Sequence, residues 1–108
     1  MEIPQPIKKQ VARKGGLKGL KDLMADDETI EQRSSIYQAL SDPIRLKLLD
    51  LLMVQPLCVC MIKDITRISD SKLSYHLSLL KESGLIEGEQ KGNWIIYSPT
   101  KLGRKFRI

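Results

Sequence analysis

The sequence predicts a mainly α-helical fold that ends in a β-hairpin. Leucine and isoleucine account for 16 and 12 of the 108 residues, whereas tryptophan and phenylalanine occur once each, which favours a small aliphatic core. Apolar residues recur at helical spacing through residue 80, and the period shortens to that of strands after Gly84. The longest apolar run has six residues, too few to cross a bilayer.

Residues 1–28 are expected to form an arm. Two prolines and two glycines among its first sixteen residues discourage regular structure, and leucine spacing allows one short helix within 17–25. The arm changes charge along its length, because 8–21 holds six basic residues and no acid, while 22–31 holds five acids and no base. The remainder, 29–108, is predicted to be one domain.

Two helices are predicted at the start of this domain. Thr29 and Gln32 have the spacing of a capping box, which would open a helix over residues 30–40. An Asp-Pro pair then restarts the chain, with the aspartate as N-cap and the proline as first helical residue of a helix over 43–54.

The next two helices are separated by a short polar turn. One should run from about Cys58 to Arg67, and the other should follow the N-cap Ser69 over 70–83 and end at Gly84. The first is expected to bury Ile62, Ile65 and Ile68.

A β-hairpin follows, with strands at 85–90 and 94–98 and a turn at 91–93. Trp94 and Tyr97 should lie on opposite faces of their strand, so that one of them anchors the hairpin to the core. Thr100 can then cap a short last helix. Two helices, a turn and a basic hairpin together predict a winged helix-turn-helix.

At this point the chain resembles the ArsR/SmtB family of bacterial and archaeal repressors. The resemblance implies a homodimer that binds a double-stranded DNA operator, represses transcription and lets go of the DNA when an inducer binds. It rests on four stretches in this order: Leu40-Ser41-Asp42-Pro43-Ile44-Arg45-Leu46, Leu57-Cys58-Val59-Cys60, Ser71-Lys72-Leu73-Ser74-Tyr75-His76-Leu77, and Gly92-Asn93-Trp94-Ile95-Ile96-Tyr97.

Composition gives little support to an enzyme. The single histidine excludes a histidine-pair zinc site, and the chain has neither a P-loop nor a Gly-x-Gly-x-x-Gly motif. The net charge of +5 suits a polyanionic partner such as DNA. No apolar segment near the start has the form of a secretory signal, so we expect a cytoplasmic protein without membrane contact.

The helix over 70–83 should read the DNA, because one of its faces carries hydroxyls and a lysine opposite a leucine stripe. His76 borders that stripe, where it either packs or contacts a phosphate. The predicted DNA contacts are Ser71, Lys72, Ser74, Tyr75, His76, Ser78 and, at the wing tip, Lys91.

Cys58 and Cys60 are the predicted inducer site. At a helix start with non-helical backbone the two thiols can converge, and the free N–H groups there favour thiolate. Soft thiolates select As(III) or Sb(III) first, with Cd(II), Pb(II) or Zn(II) as further ligands, and no cofactor is obligatory.

The resemblance also implies where further ligands would stand. The arsenical-sensing version often adds a third cysteine at the position of Lys63, the cadmium and lead version adds thiols from the arm, and the zinc version uses Asp and His on the last helix. This sequence has neither Cys nor His in the arm and neither Asp nor His in residues 100–108.

Several alternatives stay open. The two thiols could act as an oxidation switch in the same DNA-binding protein, or could be small apolar residues at a helix start in a regulator without an inducer. A third class is an interaction module that binds DNA only weakly and without sequence preference.

Overall fold

The computed structural model describes residues 2–108, and Met1 of the expected arm lies outside it. Within that range six α-helices, three strands and a closing 3₁₀ turn follow one another, so the mainly helical fold with a hairpin is confirmed. The elements are α1 Gln5–Arg13, α2 Gly16–Leu23, α3 Asp27–Leu40, α4 Pro43–Val54, β1 Leu57–Cys58, α5 Val59–Thr66, α6 Asp70–Glu82, β2 Ile86–Lys91, β3 Trp94–Pro99 and the 3₁₀ turn Gly103–Phe106.

The chain divides into two compact units, one through Arg33 and one from Ser34 onward. The first unit contains α1 and α2, so the expectation of an irregular segment over 1–16 is wrong. Its prolines lie in the first turn of α1, where a missing N–H costs nothing, and the Pro4 carbonyl accepts from the next turn at 3.2 Å. The two glycines instead form the left-handed link to α2, with φ of 90° and 76°.

Helix α3 begins three residues before the expected start, and the Thr29–Gln32 capping box does not form. The Asp26 carboxylate takes that place, because it accepts from the Thr29 backbone N–H at 2.8 Å. This interaction with Thr29 also holds the pKa of Asp26 below its ordinary value.

The second unit packs α4, α5 and α6 around one aliphatic core. Asp42 caps α4 as expected: its Oδ1 accepts from the backbone N–H groups of Ile44 at 2.8 Å and Arg45 at 3.2 Å. The fully buried large side chains are Leu48, Leu49, Leu52, Ile62, Leu73, Leu80, Leu85 and Ile86. Ile65 was expected among them but is 59% exposed, because it lies on the outer face of α5.

The three strands form an antiparallel sheet in the order β1-β3-β2. Strands β2 and β3 make the predicted hairpin, in which Lys91 pairs with Trp94 across a two-residue turn. Strand β1 adds to the other edge of β3, with Leu57 opposite Tyr97 and Cys58 opposite Ile96. No helix among residues 2–108 is long and apolar enough to span a membrane.

Candidate nucleic-acid interface and thiol pair

A three-residue turn joins α5 to α6. Arg67 ends α5 in left-handed backbone with φ of 60°, and its N–H donates to the Lys63 carbonyl at 2.8 Å. Ser69 opens α6, where its hydroxyl accepts from the Lys72 N–H at 3.4 Å. An ion pair of 2.8 Å joins Lys63 Nζ to Asp70 Oδ1 across the turn. The two helices thus form a helix-turn-helix in which α6 is the recognition helix.

Helix α6 separates a buried face from an exposed one. Leu73, Leu77 and Leu80 face the core, and the opposite side carries polar groups. The exposed side chains are Ser71, Lys72, Ser74, Tyr75 and Ser78, which the structure brings together on one face. Hydroxyl, phenol and ammonium groups of this kind suit base edges and phosphates in a major groove.

His76 does not belong to that exposed face. Its side chain is 7% exposed, and its Nδ1 lies 3.2 Å from a guanidinium nitrogen of Arg45. Because arginine only donates, Nδ1 must accept, which places the ring proton of the neutral imidazole on Nε2. The structure corrects the inclusion of His76 among the DNA contacts: the ring packs under the recognition helix, edge-on to Tyr75 at 5.1 Å between centroids.

Arg45 is a residue whose role sequence reasoning missed. Its side chain is 13% exposed and reaches three elements. Nε donates to the Ala39 carbonyl at the end of α3 at 2.7 Å, and one terminal nitrogen lies 3.8 Å from Asp42 Oδ2 and 3.2 Å from His76 Nδ1. The Asp-Pro-x-Arg motif marked the position, but its partner on α6 lies 31 residues away in sequence.

The wing presents Lys91 at its end. This lysine is exposed and closes β2, one residue before the tight turn at Gly92, whose φ of 62° suits a glycine. Trp94 and Tyr97 lie on opposite faces of β3, and Tyr97 packs against the core while Trp94 is 57% exposed. Tyr97 is therefore the anchor that the sequence predicted in one of these two rings.

Cys58 and Cys60 converge at the start of α5. Cys58 is the N-cap, with extended backbone at φ −81° and ψ 163°, and this geometry turns its side chain toward Cys60. The two Sγ atoms lie 3.0 Å apart, with both cysteines as free thiols. The expectation that non-helical backbone lets the two thiols meet is thus met in the structure, although ligand binding there stays a prediction.

The two thiols differ in acidity. A hydrogen bond from the Cys60 thiol, aided by the Met61 backbone N–H, lowers the pKa of Cys58 below its ordinary value. The same hydrogen bond raises the pKa of Cys60, since its proton bridges to the Cys58 sulfur, and desolvation adds to that rise. The pair can therefore supply one thiolate and one thiol that is ready to lose its proton.

Two grooves flank the thiol pair. One, of about 430 Å³, is lined by both cysteines, Lys63, Asp70 and the hairpin turn. The other, of about 650 Å³, has an almost wholly apolar lining. Within residues 2–108 no cluster of three His, Cys, Asp or Glu side chains could hold a metal ion. The protein therefore offers the thiol pair without a third ligand of those types.

Comparison with known proteins follows the same outline. A family model described as bacterial regulatory protein, arsR family, matches residues 42–88. The chain is 35% identical over 71 residues to an uncharacterised helix-turn-helix transcriptional regulator of Methanocaldococcus jannaschii, covering 65% of this chain and 80% of that protein. It is 37% identical over 71 residues to the arsenical resistance operon repressor of Bacillus subtilis, covering 65% and 68%.

A solved structure supports the fold independently. The homodimeric winged helix-turn-helix DNA-binding domain of a possible ArsR-family regulator from Mycobacterium bovis matches with a TM-score of 0.67 at 26% identity, covering 76% of this chain and 79% of that one. Taken with the coverage of the Methanocaldococcus relative, this means that the chain belongs to the arsR family of DNA-binding transcriptional regulators.

Proposed function

We propose that the chain is a homodimeric repressor that releases a DNA operator when As(III) or Sb(III) binds Cys58 and Cys60. The observation that carries the inducer is the thiol pair at the start of α5, with 3.0 Å between sulfurs and one thiol of lowered pKa. Soft trivalent ions prefer such sulfurs. Tetrahedral Zn(II) or Cd(II) would need more ligands than the chain brings to this place.

The operator is held by the exposed face of α6 and by the wing. Ser71, Ser74, Tyr75 and Ser78 face the major groove in this proposal, and Lys72 and Lys91 contact phosphates. The protein acts in the cytoplasm, where a DNA operator lies.

A route for release leads from the thiols to the recognition helix. Drawing both sulfurs onto one ion reshapes the first turn of α5, which packs through the fully buried Ile62 and is tied to the start of α6 by the Lys63–Asp70 ion pair. Ile65, at 59% exposure, takes no part in this path. An inducer that weakens DNA binding by about 1–3 kcal/mol would be sufficient, and linkage requires the DNA to weaken the inducer equally.

The experiment is operator release from reduced protein, followed by fluorescence anisotropy of labelled promoter DNA. Cys58→Ser and Cys60→Ser should each bind the operator like the wild type but fail to release it with arsenite. Val59→Thr, which changes the residue between the thiols and keeps both, is the control and should still respond. Release by arsenite from the double serine variant would refute the assignment of the sensor.

An oxidation switch is the second candidate, because sulfurs at 3.0 Å with unequal acidity are placed for attack on an oxidant and closure to a disulfide. Peroxide would take two electrons from the two thiols, giving the disulfide and two waters. Release by peroxide, reversal by a reductant and indifference to arsenite would favour this candidate over metalloid sensing.

A further inference from the structure

The number of bonds at the thiol pair limits which arsenical fits best. Trivalent arsenic makes three bonds, and Cys58 and Cys60 supply two. The nearest polar group on the same helix, the Lys63 ammonium, is an ion-pair partner of Asp70 at 2.8 Å and has no lone pair to donate. The third bond of a bound arsenic must therefore go to an atom that arrives with the ligand.

The surface next to the sulfurs indicates what that atom should carry. The groove of about 650 Å³ beside the pair is lined by Leu57, Met61, Trp94 and Ile96 together with Gln55 and Pro56. Met61 and Trp94 are 53% and 57% exposed, so apolar surface stands open directly beside Sγ. A hydroxyl on arsenic would gain nothing from these side chains, whereas a hydrocarbon group would remove them from water.

We propose that the preferred inducer is a monosubstituted trivalent arsenical, R–As(III), whose carbon substituent fills this groove. The inference rests on the proposed function and narrows its ligand class. Binding is a ligand exchange in which R–As(OH)₂ and two thiols give R–As(S-Cys)₂ and two waters. Two As–S bonds form, two As–O bonds break, each thiol proton leaves with a hydroxide, and no atom changes oxidation state.

A fluorescence titration tests this directly, because Trp94 is the single tryptophan and borders the groove. Reduced protein is titrated with phenylarsine oxide, methylarsonous acid and arsenite in the presence of glutathione, and mass spectrometry checks one arsenic per chain with loss of two waters. Phenyl should bind more tightly than methyl by about tenfold or more, since it buries more apolar area. Both should resist glutathione better than arsenite does.

A pair of substitutions separates the groove from the thiols. Met61→Gln keeps the length of a groove-lining side chain but makes it polar, and should reduce the phenyl-over-methyl preference severalfold. Ile65→Gln is the matched control, because Ile65 is an exposed apolar residue of the same helix outside both grooves, and it should leave that preference unchanged.

The outcomes distinguish this inference from the function on which it rests. Equal affinity for phenyl and methyl compounds, or an undiminished preference in Met61→Gln, would overturn the role of the groove. Operator release by arsenite in that case would leave metalloid sensing standing. Failure of all three arsenicals to bind would overturn both.

Discussion

At the residue scale, the cysteines are unequal in a way that matters for their chemistry. Cys58 is buried and has the lowered pKa, whereas Cys60 is exposed and has the raised pKa. A soft ion arriving from solvent meets the protonated sulfur first, and the thiolate lies directly behind it. The sequence could place both thiols at a helix start, but not divide these properties between them, because the division depends on which sulfur donates.

Replacing Cys60 by alanine should raise the pKa of Cys58 back toward its ordinary value, because the hydrogen bond that stabilises its thiolate is lost. At a fixed pH between the two values the variant then holds less thiolate. The ultraviolet absorbance of the thiolate against pH measures this. Cys58→Ala is the counterpart and should lower the pKa of Cys60. Titration midpoints that stay in place would contradict the shared proton.

Replacing Arg45 by methionine should destabilise the fold by about 2–4 kcal/mol. It strands two buried acceptors, the Ala39 carbonyl and His76 Nδ1, at roughly 1–3 kcal/mol each. Urea unfolding provides the measurement. Arg104→Met, at an exposed site, should stay within about 0.5 kcal/mol of the wild type. Equal stability of the two variants would show that the guanidinium contacts contribute little.

At the element scale, α6 and the wing are expected to contribute to DNA binding in different ways. Lys91→Ala should weaken binding to operator and random DNA equally, and should reduce the salt slope by about one unit per lost phosphate contact. Tyr75→Ala should weaken operator binding more than random binding, because it lies on the face that reads bases. Anisotropy titrations over a series of salt concentrations give both quantities.

Lys81 offers a control for the lysine experiment, since it is also exposed but lies in the last turn of α6. Its alanine variant should keep the full salt slope. Equal losses on operator and random DNA for Tyr75→Ala would contradict the assignment of the exposed face as the reader.

Elements set by local interactions were predictable from sequence. The N-caps Asp42 and Ser69 and the left-handed Gly84 act within a few residues, and α4 and α6 begin and end close to the expected places. Helix α3 was misplaced because Asp26 and Thr29 both qualify as caps, and the carboxylate reached the free N–H. Helix α1 was missed because prolines were interpreted as breakers although they occupy its first turn.

At the scale of the whole molecule, one face of the second unit needs a partner. Tyr37 on α3 is 59% exposed, although its ring meets Phe106 edge-on at 5.9 Å between centroids. Ile36 and Leu40 on the same helix are half-buried against the core. An aromatic left open beside an apolar stripe fits the homodimer that we propose.

Replacing Tyr37 by glutamate should therefore shift the protein from dimer to monomer, since a charge would be buried in the contact without a partner. Sedimentation at micromolar concentration measures the state. Ile65→Glu places the same charge on an exposed apolar site of α5 and should leave the dimer intact. A wild-type monomer at that concentration would refute the homodimer itself.

Long-range meetings were beyond the sequence. Nothing local indicates that Arg45 reaches His76, or that Leu57 and Cys58 join the hairpin as a third strand, because such contacts depend on how α4, α6 and the sheet pack. The exposure of Ile65 has the same origin: helical spacing gave its face, but only the packed neighbours decide which face is covered.

The third strand has a consequence for how the molecule opens. Strand β1 has only two residues, and one of them is Cys58. So short a pairing can detach from β3 without disturbing the leucine core, which makes it a local opening of low free energy rather than a step of global unfolding. The place where the wing is most weakly fastened is thus the place where a ligand would be tied to the backbone, so occupancy of the sulfurs and freedom of the wing share one small hinge.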